Sequence, residues 1–294
     1  PQVAATALGK DISIDIVQAG SVPGTAIVTL TDNITVEKNF YNVNFGLKSV
    51  KDEFNTAALG KQWSWVRENP ANWSLTKKAG ALVITGATGD ILSTDNNAEN
   101  ILLQSANTDW TVESRLIFSR RPSGFAQNAG LLAYQDDDNF VKLVYRSGGG
   151  RRGIGGFGGP GGPVGAGGQT PQPGMVELVI EKDGYQSSVA TLSMADIIKD
   201  NNTLVFKFEK KGNKYSASVS PDGKNYRNIG TAEIMLKDVK AGVITCNGVQ
   251  AAGRGNFPGM GPGGMPGGQQ QQPQPETPFE VSYDYFRIVN TGLN

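Results

Sequence analysis

The sequence contains no histidine, and this absence excludes more chemistry than any other feature of the 294-residue chain. Without an imidazole there is no Ser-His-Asp or Cys-His nucleophile, no histidine general base and no zinc site that needs histidine. The single cysteine, Cys246, excludes a disulfide within the chain and a four-thiolate metal site. Any chemistry therefore has to use carboxylates, tyrosine, lysine or arginine.

Charge and hydropathy argue against two classes of partner. The 27 basic and 27 acidic residues give no net charge, which disfavours a dedicated nucleic-acid or anionic-membrane binder. No apolar run reaches the roughly 18 residues that a membrane span needs. The chain also opens without a basic, apolar leader, so a signal peptide is expected to be absent or removed. We expect no nucleic-acid and no membrane partner.

Two segments consist mainly of glycine, proline and glutamine, over 148–174 and over 251–278. Neither holds enough apolar surface to offset the entropy lost on ordering, so both are predicted to be flexible loops. Strand-like stretches flank each segment, VKLVYR and MVELVIEK around the first, AGVITCNG and FEVSYDYFRIVN around the second. We therefore interpret both as insertions into a folded domain.

Elsewhere the apolar residues alternate with a period of two, which is typical of half-buried antiparallel strands. In WTVESRLIF, for example, Trp110, Val112 and Leu116 share one face. Turn sequences such as Lys182-Asp183-Gly184 separate these stretches, and only Met194–Asp200 has the pattern of a helical turn. The sequence predicts an all-β sandwich or barrel.

Residues 1–51 contain four further strand-like stretches, which make a thin core for an independent domain. We expect this small β segment either to dock on the main sandwich or to be the tail of a module lying upstream. The sequence leaves both alternatives open.

Several carboxylates are candidates for functional groups. The triplet Asp136 to Asp138 fits a hairpin tip better than a calcium loop, because two strand patterns of matching length flank it. Glu113, Glu177, Glu181 and Glu209 lie in strand patterns. A pair of them could serve glycoside hydrolysis, which needs no histidine, although glutamate is also common on solvated strand faces.

Tryptophan is concentrated in KQWSWVRENPANWSL, which contains Trp63, Trp65 and Trp73. Exposed tryptophan faces stack on sugar rings, and the indole N–H donates to hydroxyls, so this stretch suits glycan recognition. Burial in the core is the competing interpretation for each of the three.

The same stretch resembles the C-terminal concanavalin A-like domain of family 43 glycoside hydrolases, the β-xylosidase and arabinofuranosidase group. The family's motifs have counterparts at Glu53-Phe54, Trp63-Ser64-Trp65, Asn69-Pro70, Trp73-Ser74-Leu75, the Ala129-Gly130-Leu131 hairpin and the closing Asp284-Tyr285-Phe286. The resemblance runs from Asp52 to about Asn290. The two glycine-rich insertions and the first fifty residues depart from the family pattern.

The resemblance implies a concanavalin A-like jelly-roll sandwich of two antiparallel sheets over 52–294, preceded by the small β segment 1–51. It also implies a non-catalytic carbohydrate-binding or accessory module for xylan or arabinoxylan, secreted to the periplasm or the cell exterior. The family's catalytic carboxylates lie in a five-bladed propeller that has no counterpart here, so an upstream glycosidase domain is an expected partner. No cofactor is expected, although sandwiches of this type often carry a structural calcium ion. The predicted sugar contacts are Trp65, Tyr134, Tyr145 and Arg146.

Two alternatives remain open at this stage. The chain could be a glycoside hydrolase or lyase acting through carboxylates or a Tyr/Lys base, or a structural domain that docks on a larger glycosidase. An exposed aromatic surface would favour binding, a carboxylate pair in a cleft would favour catalysis, and a flat apolar patch would favour docking.

Overall fold

The computed structural model describes residues 2–22, 24–46, 49–122, 127–147, 174–194, 202–248 and 279–291. Nearly all regular structure in these ranges is β-strand, and the strands form two large antiparallel sheets, a small sheet at the N-terminal end and one short hairpin. The fold is the predicted all-β sandwich. No helix in these ranges is long and apolar enough to cross a membrane.

Within the described ranges the first large sheet has seven strands, in the order β15-β14-β13-β12-β19-β10-β5. Its strands are β5 (Ser64–Val66), β10 (Ile101–Ser105), β12 (Asn128–Asp136), β13 (Asn139–Arg146), β14 (Met175–Lys182), β15 (Tyr185–Ser193) and β19 (Lys240–Cys246).

The described part of the second large sheet has eight strands, in the order β18-β17-β16-β11-β20-β7-β6, with β4 also paired to β20. Its strands are β4 (Ser49–Asp52), β6 (Trp73–Ser74), β7 (Leu82–Thr85), β11 (Trp110–Phe118), β16 (Thr203–Lys211), β17 (Lys214–Ser220), β18 (Arg227–Glu233) and β20 (Glu280–Asn290).

The main core lies between the two sheets and follows the period-two pattern of the sequence. In β11 the buried and half-buried positions alternate without a break, so that Trp110, Val112 and Leu116 face the core as predicted. Trp110 packs edge-on against Phe208, with 5.5 Å between the ring centroids. Burying the apolar face of each strand against the opposite sheet is what holds such a sandwich together.

The outer face of the seven-stranded sheet carries a second apolar cluster. The segment 86–100, with the short strands β8 (Ile91–Leu92) and β9 (Asp95–Asn96), contributes Ile91 and Ala98 to it. The sheet contributes residues that point away from the main core, among them Leu132, Phe140 and Ile244. This part of the sheet is therefore buried on both faces.

Residues 12–45 form a separate sheet of three strands, β1 (Ile12–Val17), β2 (Gly24–Asp32) and β3 (Lys38–Phe45). In the described part of the chain none of the three pairs with a strand of the sandwich. Strand β4 crosses the predicted domain boundary at residue 51 and pairs with β20. The division at that residue stays a prediction.

The structure confirms the hairpin at Asp136 to Asp138, which joins β12 to β13. Solvation is only part of the reason why three aspartates are tolerated there. Asp137 accepts two hydrogen bonds from Arg67, at 2.6 and 2.9 Å, and Asp138 accepts one from Asn96. Most of the predicted helical turn at 194–200 and of the insertions at 148–174 and 251–278 lies outside the described residues.

Candidate functional site

Trp65, the first predicted sugar contact, lies in the edge strand β5 opposite Leu102 and packs against the main core. Its ring contacts Trp73 with 5.0 Å between the centroids, and it is only half-buried. Trp63 is also half-buried and packs edge-on against Phe286 at 5.0 Å. Part of the Trp65 ring thus supports the core, and part of it is accessible.

Tyr134 and Tyr145 are both buried, with 7% and 1% of their surface exposed. The Tyr134 hydroxyl donates to Asp137 at 2.9 Å, and the Tyr145 ring packs edge-on against Phe118 inside the main core at 5.2 Å. Burial raises the pKa of both phenols. A ligand could reach the Tyr145 ring only by opening the core.

Arg146 lies on the outer face of the seven-stranded sheet, where its guanidinium forms an ion pair with Glu177. The structure therefore does not bring the four predicted contacts together: one lies at an edge, one inside the core and two on the outer face. Between Tyr134 and Arg146 that face is filled by the cluster beneath 86–100. The assignment of these four residues as glycan contacts stays a prediction.

The outer face of the seven-stranded sheet, beneath segment 86–100, also contains a buried ion pair. The Lys142 Nζ lies 2.8 Å from Oδ1 of Asp90. Asp90 accepts a second hydrogen bond, at 2.8 Å, from the Asn128 amide. Burial alone would lower the pKa of Lys142, but the Asp90 carboxylate and its neighbours outweigh burial and raise it. The Lys142 ammonium and the Asp90 carboxylate are therefore paired with each other inside the protein rather than exposed to a ligand.

The outer face of the eight-stranded sheet is open and carries a different arrangement. Glu113, in the middle of β11, accepts a hydrogen bond from the Tyr285 hydroxyl at 2.7 Å on Oε1 and one from the Tyr226 hydroxyl at 2.8 Å on Oε2. All three side chains are half-buried. We call Glu113, Tyr226 and Tyr285, with the cations Lys51, Arg115 and Lys207 beside them, the tyrosine surface.

A β-bulge explains why Tyr285 belongs to this surface. Along β20, Val281 and Tyr283 face the core, whereas after the bulge Phe286 and Ile288 do so. The pairing with β11 shifts between Arg115 and Leu116, which leaves Asp284 as the extra residue. Bulges re-aim side chains in this way, and here Asp284 and Tyr285 are both left outside the core.

Basic side chains lie over both tyrosine rings. The Lys51 ammonium is 4.9 Å from the centroid of Tyr285, and the Lys207 ammonium is 4.9 Å from that of Tyr226. Partial burial and the hydrogen bonds to Glu113 raise the pKa of both phenols above the ordinary value of about 10, so both stay protonated donors. The surface offers aromatic rings, donors and a carboxylate acceptor within one patch.

The four candidate catalytic glutamates do not form a pair in a cleft. Glu113 is held by the two tyrosines, and Glu209 lies two residues out of register with it on β16. Glu177 is paired with Arg146, and Glu181 is fully buried, which raises its pKa. In the described part of the chain no three acidic or cysteine side chains are grouped so as to hold a metal ion.

Part of the chain is similar to a known protein family. Residues 51–156 match the family described as the β-xylosidase C-terminal concanavalin A-like domain. The resemblance predicted from the sequence is confirmed. The matched range starts at the predicted boundary and is shorter than the predicted span to Asn290. No curated protein sequence matches the chain.

Solved structures of family 43 proteins share the fold. The GH43 protein BlXynB of Bacillus licheniformis superposes with a TM-score of 0.58 at 15% identity, over 98% of this chain and 56% of its own. The Bacteroides ovatus protein described as Xyloglucan PUL GH43B gives 0.56 at 13%, over 95% and 54%. The xylan β-1,4-xylosidase of Bacillus halodurans C-125 gives 0.56 at 13%, over 94% and 52%.

The chain thus spans about half the length of these solved relatives. At such low identity the superpositions establish the fold, and the family match relates residues 51–156 to the C-terminal concanavalin A-like domain of β-xylosidases. The tyrosine surface is not among the sites predicted from the sequence. Two features of the sequence pointed towards it. The alternation in β11 places Glu113 on the face away from the core, and the closing strand β20 is rich in tyrosine.

Proposed function

We propose that the chain is a non-catalytic carbohydrate-binding module that accompanies a glycosidase, and that it binds glycan at the tyrosine surface. The arrangement of Tyr226 and Tyr285 around Glu113 is the observation that supports this proposal. The exposed parts of the half-buried tyrosine rings offer apolar surface for sugar C–H groups, while hydroxyls, a carboxylate and ammonium groups offer partners for sugar hydroxyls. We expect the protein to act outside the cytoplasm, where such polymers occur.

Xylan or arabinoxylan is the glycan class that we propose. The support comes from the family, named after β-xylosidases, and from the fold shared with a xylan β-1,4-xylosidase. A shallow surface suits a polymer better than a small metabolite, because successive sugars can lie along a sheet without being enclosed.

The experiment is native affinity electrophoresis in gels that contain xylan, arabinoxylan, β-glucan or no polysaccharide, with sugar release assayed in parallel. We expect retardation by xylan-type polymers and no released sugar. The variants Tyr226→Ala and Tyr285→Ala should migrate freely. Tyr185→Ala is the matched control, because Tyr185 is 82% exposed and lies in the other sheet.

Three results would contradict the proposal. Released sugar would make the chain an enzyme, and the absence of retardation by every polymer would remove the binding function. Equal retardation of the Tyr226→Ala, Tyr285→Ala and Tyr185→Ala variants would move the site away from the tyrosine surface.

A second function, docking on a glycosidase domain, is supported by the N-terminal part of the chain. Nine of the twelve large apolar side chains that are exposed in the described residues lie between Leu8 and Tyr41. They are Leu8, Ile12, Val17, Val22, Ile27, Ile34, Val36, Phe40 and Tyr41. Such a concentration of exposed apolar groups is typical of an interaction surface.

Sedimentation velocity with a separately produced β-xylosidase catalytic domain tests this docking. We expect complex formation by the full chain and its loss in a Val17→Ser, Phe40→Ser variant. The variant Val189→Ser, altered at an exposed position of the sandwich, should behave like the unmodified chain. If the catalytic domain and the unmodified chain sediment independently, the N-terminal sheet is not a contact surface for that class of domain.

A further inference from the structure

A polar pocket of about 290 Å³ opens beside Tyr285, at one end of the tyrosine surface. Strand β4 contributes Lys51, and the loop that follows it contributes Glu53 and Asn55. The loop before β7 closes the pocket with Ala79 and Gly80. Asp284 and Tyr285 of the bulged strand complete the lining. The volume is at the lower end of ligand pockets, which hold about 300–1,000 Å³.

The far wall of the pocket depends on glycine at position 80. Its backbone has a φ of +69°, a conformation that other residues rarely adopt. A Cβ at this position would also lie 3.0 Å from Oδ1 of Asn55. The loop can therefore approach the Asn55 amide closely only because no side chain stands between them.

The charges that line the pocket are balanced in pairs. Lys51 lies 2.6 Å from Glu53, and Asn55 donates to the other oxygen of Glu53 at 3.4 Å. On the opposite side Asp284 is paired with Arg115 at 3.2 Å. These groups are about one-third to one-half exposed, so a ligand can reach them. The lining itself holds two carboxylates and one ammonium group, and Arg115, which is not part of the lining, pairs with the second carboxylate.

We propose that this pocket binds one neutral sugar residue of a glycan chain whose other residues lie across the tyrosine surface. This inference rests on the proposed function and adds the class of sugar. Carboxylates accept from hydroxyls, while Lys51 and Asn55 donate to them, and the Tyr285 ring contacts an apolar sugar face. An acidic sugar would bring its carboxylate towards Glu53 and Asp284, whose cations are already paired.

The Glu113 carboxylate, to which both tyrosines donate, indicates the direction in which the bound glycan runs. Tyr285 borders the pocket and donates to one oxygen of Glu113, and Tyr226 donates to the other. A line from the pocket across Glu113 therefore leads to the second tyrosine ring. Polymer bound in the pocket by one residue can continue along this line over the sheet.

Isothermal titration calorimetry tests the inference with two probes, xylotetraose and a xylo-oligosaccharide of equal length that carries a glucuronic acid branch. We expect the acidic probe to bind the unmodified protein at least tenfold more weakly than xylotetraose. The variants Lys51→Met and Glu53→Gln should each weaken xylotetraose binding by about tenfold, as expected for the loss of one charge-assisted hydrogen bond. Lys77→Met is the matched control, because Lys77 is also half-exposed and paired with a glutamate, outside the pocket.

The outcomes separate the pocket from the site as a whole. If xylotetraose binds, depends on Tyr285 and is unaffected by Lys51→Met and Glu53→Gln, the pocket inference is overturned while the proposed function stands. Equal or tighter binding of the acidic probe would overturn it as well. If the unmodified protein binds none of the glycans in calorimetry or in gels, the proposed function and the pocket inference both fail.

Discussion

Asp284 and Tyr285 are neighbours in the chain, and both lie outside the sandwich core on the same strand. In a regular strand one of the two would point inwards. The bulge opposite Arg115 removes this alternation, so that Asp284 pairs with Arg115 while Tyr285 donates to Glu113. The tyrosine surface and its pocket both depend on this single extra residue.

Partial burial of the Tyr285 phenol and its hydrogen bond to Glu113 should make stability sensitive to alkaline pH. The pKa of the phenol is higher in the folded state than in the unfolded state, where it is about 10. Its contribution is therefore complete below about pH 10 and is lost as the pH rises through the folded value. Tyr285→Phe should lower the free energy of unfolding by about 1 kcal/mol at neutral pH and reduce the alkaline loss, as measured by urea unfolding. If Tyr285→Phe shows the same alkaline loss as the unmodified chain, Tyr285 is not the group responsible.

Removing the charge of Lys142 should destabilise the protein strongly. Lys142→Met leaves the Asp90 carboxylate buried without its cation, which costs about 3–5 kcal/mol in comparable cases. Lys77→Met removes one partner of a more exposed ion pair and should cost at most about 1 kcal/mol. Urea midpoints of the two variants measure the difference. Equal midpoints would mean that Asp90 finds compensation elsewhere.

Trp65→Ala should reduce stability rather than affect glycan binding alone. The ring packs on Trp73 and on the main core, and its loss should cost about 3 kcal/mol, the lower end of the range for tryptophan. Thermal unfolding followed by circular dichroism measures this cost, and affinity electrophoresis below the transition measures binding. An unchanged transition with lost binding would support the sequence-based assignment of Trp65 as a sugar contact.

Gly242 is required by the close approach of two strands in the seven-stranded sheet. A Cβ at this position would overlap the backbone carbonyl oxygen of Leu102 on the neighbouring strand β10. Gly242→Ala should therefore destabilise the protein by about 1–3 kcal/mol or more. Gly20→Ala, where a Cβ meets nothing within 4 Å, is the control and should change the urea midpoint little. Similar midpoints for both variants would show that β10 and β19 separate at low cost.

Much of the fold could be predicted because one feature, burial on a single face, dominates it. Strand β11 has the expected alternation at every position, and the hairpin at Asp136 to Asp138 lies where two matching strand patterns meet. Prediction fails where a strand is buried on both faces. In β13 Tyr145 faces the main core while Lys142 faces the cluster beneath 86–100, and neither environment can be read from the strand itself.

The site was harder to predict than the fold for a related reason. Strict alternation groups Tyr285 with Val281 and Tyr283, which are buried, and so hides it among core residues. Tyr226 comes from the loop before β18, far from Glu113 in sequence, and only the folded sheet brings the two together. Adjacent strand residues such as Tyr145 and Arg146 point to opposite faces, so a single binding surface could not have held both.

The position of β20 in its sheet has a consequence for biosynthesis. Glu113 of β11 pairs with Arg287, on the far side of both glycine-rich segments. A ribosome adding about 5–20 residues per second takes roughly 9 to 35 s to span that interval. During this time the nascent β11 lacks its neighbour β20 in the sheet. Its apolar side chains therefore stay exposed to water unless a chaperone covers them. We therefore expect chaperone dependence to concentrate in the interval between the synthesis of β11 and that of β20.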